Sequence, residues 1–254
     1  MQKEMAAATS AITIDGLTKD YGDVMAVDGL TLSIPEAEVF GLLGPNGSGK
    51  TTTINCITGL LKPTKGTIEV GGFDVKTEGA EARAIVGVSP QEAAICPYLT
   101  GSENVHLFGE LYSVPRKLLK ARVDLAMEKV GLTDDARRRV SKYSGGMKRR
   151  VSLAMALVTD PKIVLLDEPT VGMDPQARRA VWDFILELRD KGKTIVLTTH
   201  YMEEAEELCD RVGIIDHGRL IALGPPAELE VKYRAKDLED VFIQLTGRRI
   251  REGA

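Results

Sequence analysis

Gly44-Pro45-Asn46-Gly47-Ser48-Gly49-Lys50-Thr51 fits the pattern Gly-x-x-x-x-Gly-Lys-Thr. Ahead of it runs Val39-Phe40-Gly41-Leu42-Leu43, apolar and of strand character, and behind it Thr52-Thr53-Ile54-Asn55-Cys56-Ile57 opens a helix. A strand, a glycine loop and a helix in that order aim several backbone N–H groups and the positive end of a helix dipole at one point. The reading predicts a cradle for a nucleoside triphosphate, with Lys50 reaching the β- and γ-phosphates and the Thr51 hydroxyl on Mg²⁺.

Outward from this loop, short β-type runs alternate with helical patterns, which predicts an α/β fold with a largely parallel sheet. The strand candidates are Ala11–Leu17, Val39–Leu43, Thr67–Val70, Ile163–Asp167, Thr194–Thr198 and Val212–Asp216. Leu30-Thr31-Leu32-Ser33-Ile34 alternates apolar and polar, as a half-exposed strand of an antiparallel sub-sheet would. From about residue 97 to 159 the strand pattern gives way to helical spacing, with Leu119, Val123, Ala126, Met127 and Val130 on one face and Gly131 as the stop. After Asp174-Pro175, an N-cap and first-turn pair, the stripe Ala177, Val181, Phe184, Ile185 and Leu188 marks another helix. A last stripe at Leu238, Val241, Phe242 and Leu245 predicts a helix in the tail that runs on to Arg248 and Arg249.

Composition narrows the function classes. The 254 residues are 43% hydrophobic and 28% charged, ordinary for a globular chain. A net charge of −4 gives no global basic field to recruit nucleic acid. Cys56, Cys96 and Cys209 are far apart and in no CxxC pair, so they fit a reducing compartment and no zinc site. No apolar run approaches the roughly 18 residues needed to cross a bilayer, so a membrane role must come through a partner. The acidic run Glu203, Glu204, Glu206 and Glu207 reads as a solvated helix face.

Two further stretches carry chemistry. Ile163-Val164-Leu165-Leu166 leads into Asp167 and Glu168, a buried strand delivering two acids at its C-terminal edge. Asp167 suits a Mg²⁺ shell, and Glu168 suits a base that polarises the attacking water. Tyr143-Ser144-Gly145-Gly146-Met147 precedes another helical run, and its paired glycines again expose N–H groups to an anion with Ser144 as an added donor.

In this order the motifs resemble the nucleotide-binding subunit of an ATP-binding-cassette (ABC) transporter. GPNGSGKT matches the Walker A motif, IVLLDE the Walker B motif and YSGGM the family signature. Tyr21 matches the aromatic that stacks on adenine, and Gln91 in SPQE the Q-loop. Asp174 in VGMD matches the D-loop, and His200 in TTHYMEEAEEL the switch histidine. Two motifs depart from the commonest family spelling. Tyr143 and Met147 flank the Ser-Gly-Gly centre where LSGGQ is usual, and VGMD stands where SALD or SGLD is common.

The resemblance implies a P-loop NTPase (RecA-like) core with an N-terminal antiparallel β sub-sheet and an inserted α-helical subdomain. It implies a flexible N-terminus over 1–11, the nucleotide-binding domain over 12–223 with the helical insertion at about 97–159, and a C-terminal extension over 224–254. ATP and Mg²⁺ are the implied cofactors. Gly44, Pro45, Asn46, Gly47, Ser48, Gly49, Lys50, Thr51 and Thr52 would hold the phosphates, Tyr21 the base, and Thr51, Gln91 and Asp167 the metal. Glu168, His200, Gln91 and Lys50 would carry hydrolysis.

The same resemblance implies a second cassette as partner, in a homodimer or heterodimer. Ser144, Gly145 and Gly146 of one subunit would face the ATP of the other, and Asp174 would link the two sites. A separate transmembrane permease is implied, with Ile95, Pro97, Tyr98 and Leu99 as the expected docking stretch. The protein is expected at the cytoplasmic face of the membrane, held there by the permease, with no nucleic acid as partner. The ending LEDVF…LTGR and YSGGM are similar to cassettes of the ABC-2 type exporter group, which serve drugs, antibiotics, lipids and polysaccharides.

Three other readings compete. A non-transport ABC ATPase acting on nucleic acid or ribosomes would usually carry two cassettes or a long coiled-coil insertion, and this chain has one cassette and an acidic balance. A GTPase or small-molecule kinase would leave YSGGM unexplained, and no Asn-Lys-x-Asp motif is present. A regulatory module that only binds nucleotide would have no use for Glu168 and His200.

Overall fold

The computed structural model describes residues 10–92 and 94–247. In chain order its strands are β1 Ser10–Asp20, β2 Met25–Pro35, β3 Val39–Leu43, β4 Lys65–Val70, β5 Phe73–Asp74, β6 Val86–Ser89, β7 Ile163–Asp167, β8 Thr194–Thr199, β9 Arg211–Asp216 and β10 Arg219–Gly224. The helices are α1 Lys50–Ile57, α2 Gly79–Ala84, α3 Gly101–Leu111, α4 Arg116–Lys129, α5 Gly145–Leu157, α6 Pro175–Asp190, α7 Met202–Leu208, α8 Pro226–Tyr233 and α9 Leu238–Thr246.

The strands form two sheets. One is antiparallel, in the order β2-β1-β4-β5; the other has the order β10-β9-β3-β8-β7-β6 and is parallel except where β10 returns beside β9. Residues of β3, β7 and β8 are all buried, because both faces of the parallel sheet are covered and each strand can be apolar throughout. Their side chains still divide by the two-residue period of a strand. Val39 and Leu43 of β3, with Val164 and Leu166 of β7, face the core shared with α4–α7 and α9. Phe40 and Leu42, with Ile163 and Leu165, face a second core built with β1, β2, β4 and α1. Burying a residue such as Phe40 is worth about 1.5–3 kcal/mol.

Between β6 and β7 the described residues hold α3, α4, α5 and a 3₁₀ turn, Val140–Lys142, with no strand. Thr100 caps α3 with Glu103 in a reciprocal pair of hydrogen bonds, 3.2 and 2.7 Å. Asp174 caps α6, accepting from the Ala177 N–H at 2.9 Å, with Pro175 in the first turn as the sequence reading expects.

Some boundaries differ from the expectation. β1 begins at Ser10, one residue ahead of the strand expected from Ala11, so it enters the lead-in expected to be flexible over 1–11; the rest of that lead-in, 1–9, lies outside the described residues. β5, β6 and β10 have no counterpart among the expected strands. The tail stripe forms α9, with Leu238, Val241 and Phe242 fully buried against the main core, and Gly247 ends it in the left-handed conformation. Arg248 and Arg249 lie outside the described residues. Glu204 departs from the solvated face expected of the acidic run. Only 1% exposed, it accepts from Thr170 Oγ1 at 2.7 Å and Trp182 Nε1 at 3.0 Å, because α7 turns that side toward α6.

Register places the chemistry. Leu43 pairs with Thr199, Asp167 with Thr198 and Ser89 with Leu166. The strands therefore end level with one another, and the segments that follow them leave from one edge of the sheet, where open parallel sheets bind ligands.

Candidate functional site

The loop from Gly44 to Gly49 is wedged between neighbouring backbones, and two of its glycines are required by space. A Cβ at Gly44 would lie 2.3 Å from the Ile215 carbonyl oxygen. Gly49 has φ +108°, and a Cβ there would lie 2.3 Å from the carbonyl oxygen of Ala26. The loop is braced by the β9–β10 turn, whose Gly218 N–H donates to the Ser48 carbonyl at 3.0 Å. Asn46 and Gly47 are exposed at its tip, with Pro45 and Thr52 half-buried at its flanks.

Gly49 is the N-cap of α1 and supplies no side-chain cap, and the first turn holds no acid. The first N–H groups of that helix thus have the positive end of the dipole uncompensated by protein. Ser48 Oγ is buried with no hydrogen-bond partner. An orphaned hydroxyl beside an uncapped helix start is a set of donors that fits a phosphate group.

Six of the expected residues form two directly bonded groups, which Thr198 connects. Lys50 is 4% exposed and donates to the carbonyls of Gly44 at 2.8 Å and Pro45 at 3.1 Å, with Nζ 3.8 Å from Glu168 Oε1. Burial pulls its pKa below the usual lysine value, against the opposing pull of Glu168 and Asp167. Thr51 Oγ1 donates to Asp167 Oδ2 at 2.9 Å, and Thr198 Oγ1 donates to the other oxygen of Asp167. Gln91 Nε2 donates to Glu168 Oε2 at 3.1 Å, and His200 Nδ1 lies 3.1 Å from Oε1 of the same carboxylate.

Glu168 is the hub. It is 5% exposed, and its φ of +51° is left-handed, a conformation that costs a non-glycine residue about 1–3 kcal/mol. The hydrogen bond from His200 holds its carboxyl below the usual glutamate range; burial opposes this, and the charges of His200, Lys50 and Arg149 add to it. Its N–H donates to Thr198 at both the carbonyl, 3.1 Å, and the hydroxyl, 3.0 Å.

Other expected residues stand apart from this cluster. Tyr21 is 53% exposed, with Lys19 Nζ 5.0 Å from its ring centroid. Ser144 caps α5, its hydroxyl accepting from the Met147 N–H at 3.2 Å, and Gly145 and Gly146 open that helix. The Asp174 carboxylate is the cap of α6. Among the described residues, no hydrogen bond or ion pair joins Tyr21, Ser144, Gly145, Gly146 or Asp174 to the phosphate loop or to Glu168.

Two residues that the sequence reading passed over belong to the cluster. Thr198 bonds both Asp167 and Glu168; a hydroxyl on a buried strand one position short of its edge was the available signal. Arg149, 7% exposed, donates to backbone carbonyls of both the Gln91 and the Glu168 segments. It sat unremarked in the basic run Lys148-Arg149-Arg150.

The geometry fits Mg²⁺. Thr51 and Asp167 are hard oxygen donors already side by side, and Mg²⁺ characteristically takes one or two protein oxygens and fills its shell with substrate phosphate and water. No group of three His, Cys, Asp or Glu converges as a metal cage among the described residues.

Comparison with known proteins gives three agreeing results. The family model described as ABC transporter matches residues 27–171. A daunorubicin resistance ATP-binding protein, DrrA3 of Streptomyces coeruleorubidus, is 44% identical over 94% of this chain and 76% of that protein. A linearmycin resistance ATP-binding protein, LnrL of Bacillus subtilis, is 43% identical over 91% and 73%. A Nod factor export ATP-binding protein I of Ralstonia nicotianae is 42% identical over 92% and 73%. Among solved structures, an ATP-binding subunit of an ABC transporter superposes with a TM-score of 0.85 at 27% identity, over 94% of this chain and 100% of that one. A dimeric ATP-binding cassette in a post-hydrolysis state with ADP and Pi gives 0.78 at 27% identity, over 84% and 98%.

Proposed function

This chain belongs to the ABC transporter family, and from that premise we propose that it is the ATP-hydrolysing motor subunit of an exporter of the ABC-2 type, working on a separate permease. The observation that carries the reading is the convergence of Lys50, Gln91 and His200 on the two oxygens of Glu168, beside the Thr51–Asp167 pair. That is the equipment for in-line attack of water on a terminal phosphate.

The phosphates lie along the Gly44–Thr51 loop, on the N–H groups of α1 and the Ser48 hydroxyl, with Lys50 turning from the loop carbonyls to the β- and γ-oxygens. Thr51, Asp167 and Gln91 would hold Mg²⁺, which when bound would neutralise charge building on the phosphate. Glu168 orients the water. As a carboxylate held in place by its partners, it polarises the water for attack. Gln91 and His200 fix its plane from opposite sides, and His200 also faces the γ-phosphate. Tyr21, exposed at the surface, stacks on adenine.

The site is completed by a second cassette. The start of α5, capped by Ser144 and exposing Gly145, is a second anion-binding helix terminus. In a head-to-tail pair, of identical or different chains, it meets the partner's ATP, and Asp174 lies at the seam. Binding energy gathered from two half-sites closes the pair, and hydrolysis removes the charge that held it.

Among the described residues no helix is long and apolar enough to cross a membrane. The permease carries the path, and this chain sits at the cytoplasmic face through it. Tyr98, 81% exposed, and the exposed Pro97 are suited to dock it; Ile95, half-buried against the main core, is a support. The relatives' names speak of daunorubicin, linearmycin and Nod factors, chemically dissimilar molecules on similar cassettes. Choice of cargo therefore rests with the permease. The same names lend no support to a role on nucleic acid or ribosomes.

The test is the Mg-ATPase rate of the purified chain against its concentration, beside Glu168→Gln. A rate rising faster than linearly in the wild type, with turnover lost but ATP still bound and dimer trapped in the variant, is the expected result. An unchanged rate in Glu168→Gln would sink the assignment.

A further inference from the structure

Arg149 lies on α5, about one and a half turns beyond the Ser144 cap, and its guanidinium is almost wholly buried. None of its hydrogen bonds goes to a carboxylate. Nη1 donates to the carbonyls of Pro90 and, at 2.9 Å, Gln91; Nη2 donates to the carbonyls of Asp167 and, at 2.9 Å, Glu168; Nε donates to Pro169 at 3.3 Å. A planar fork with five N–H donors is the side chain suited to bind two separate segments at once, and lysine cannot replace it.

Those segments are the ones whose side chains meet. Pro90-Gln91 leaves β6, and Glu168-Pro169 leaves β7. Their backbones have no strand pairing beyond Ser89–Leu166. Past that point Arg149 joins them, and it does so where Glu168 holds its strained left-handed backbone. Burying a guanidinium costs several kcal/mol unless its donors are matched and its charge is offset, here by Asp167, Glu168 and Glu204. An apolar residue would fill this place in the core more cheaply if packing were the only requirement.

We propose that Arg149 is a positioning residue: it sets the distance between Gln91 and Glu168 and ties that geometry to α5, the helix whose N-terminus serves the partner's nucleotide. Rotation or translation of α5 on closure moves the fork, and with it the carboxylate that orients water in this chain's own site. The two ATP sites are thereby linked through one side chain. This rests on the hydrolytic reading above.

The experiment compares Arg149→Lys and Arg149→Gln with wild type and Glu168→Gln in the full chain. Three readouts are taken: steady-state ATPase, thermal unfolding, and amide hydrogen exchange without nucleotide. Misplacing the carboxylate is expected to lower kcat by at least about 10-fold in both variants. The KM for ATP is expected to stay within about twofold, because the phosphate loop is untouched. Lysine keeps the charge but not the fork, so it is expected not to rescue. Exchange is expected to quicken in peptides spanning Gln91 and Glu168–Val171 and to stay unchanged in α1.

Wild-type kcat in Arg149→Lys would overturn the proposal. So would exchange that quickens throughout the chain with activity tracking the folded fraction, and so would failure of both variants to fold. A wild-type rate in Glu168→Gln would instead overturn the hydrolytic reading beneath it.

Discussion

Nδ1 of His200 lies 3.1 Å from Oε1 of Glu168, while Gln91 Nε2 reaches Oε2 of the same carboxylate at 3.1 Å. The two partners arrive from the ends of different strands, so the carboxylate plane is fixed by the sheet and not by its own rotamer. Removing His200 frees one oxygen while leaving the phosphate loop intact. His200→Ala is expected to lower kcat about 100-fold, the range for a lost acid–base or orienting partner. ATP affinity is expected to change by less than about threefold, since the phosphate-loop contacts persist and only the one γ-phosphate contact is lost. Single-turnover hydrolysis and equilibrium nucleotide binding, measured on one preparation, separate the two effects.

The Thr51–Asp167 hydrogen bond of 2.9 Å predicts how the chain handles its cation. Both oxygens of Asp167 are engaged, one by Thr51 and one by Thr198. Asp167→Asn keeps the shape and loses the charge. The Mg²⁺ concentration for half-maximal ATPase is expected to rise about 10-fold or more. Binding of ATP in the presence of a chelator is expected to be unaltered. A variant with unchanged Mg²⁺ demand would remove Asp167 from the metal shell.

How far these arrangements could be read in advance depended on what each residue is buried by. Val39–Leu43 and Ile163–Asp167 were predicted to the residue, because a parallel strand covered on both faces is apolar throughout. β6 escaped because it is only four residues long, with Gly87 inside it and Pro90 directly behind it. A Cβ at Gly87 would lie 2.1 Å from the Ala156 carbonyl oxygen, so the close approach of α5 dictates a residue that local propensity counts against a strand. The family resemblance assigned Gln91, Glu168 and His200 to one hydrolytic site, but their meeting at one carboxylate depends on strand register, which motif matches do not contain. Arg149 was hidden differently. Beside Lys148 and Arg150 it reads as one charge among three, and only the third dimension shows that it alone is buried.

Glu204 makes the same point within an acidic run, and it yields a measurable contrast. Its carboxylate accepts from Thr170 Oγ1 and Trp182 Nε1, both buried. Glu204→Ala strands two donors and is expected to cost about 1–3 kcal/mol in urea unfolding. Glu204→Gln, which keeps an acceptor, is expected to cost less. Glu207→Ala breaks only an exposed pair with Arg179 and is expected to stay within about 0.5 kcal/mol of wild type.

The half-buried pair at the foot of β3 predicts a pH dependence whose sign follows from its surroundings. Glu38 accepts from Arg211 Nε at 2.9 Å, and its backbone carbonyl accepts from the Ile195 N–H, so it sets the start of the strand that feeds the phosphate loop. Burial raises the Glu38 pKa above the usual glutamate value, and Arg211 acts against that rise. A carboxyl whose folded pKa is raised contributes stability that is full below its unfolded value of about 4.3 and is lost as pH rises through the folded value. Arg211→Met removes the opposing charge, raises that folded value further and leaves an ionised carboxylate unpaired at neutral pH. The variant is expected to lose about 2–3 kcal/mol at pH 8, somewhat under the usual figure for a buried pair because Arg211 is partly exposed. The gap is expected to narrow as pH falls and Glu38 takes a proton in the folded chain. Adding Glu38→Gln to Arg211→Met is expected to flatten the dependence. Urea melts of the three proteins at pH 8 and pH 5 decide it: a gap that ignores pH would make Arg211 a packing residue, its charge incidental to the fold.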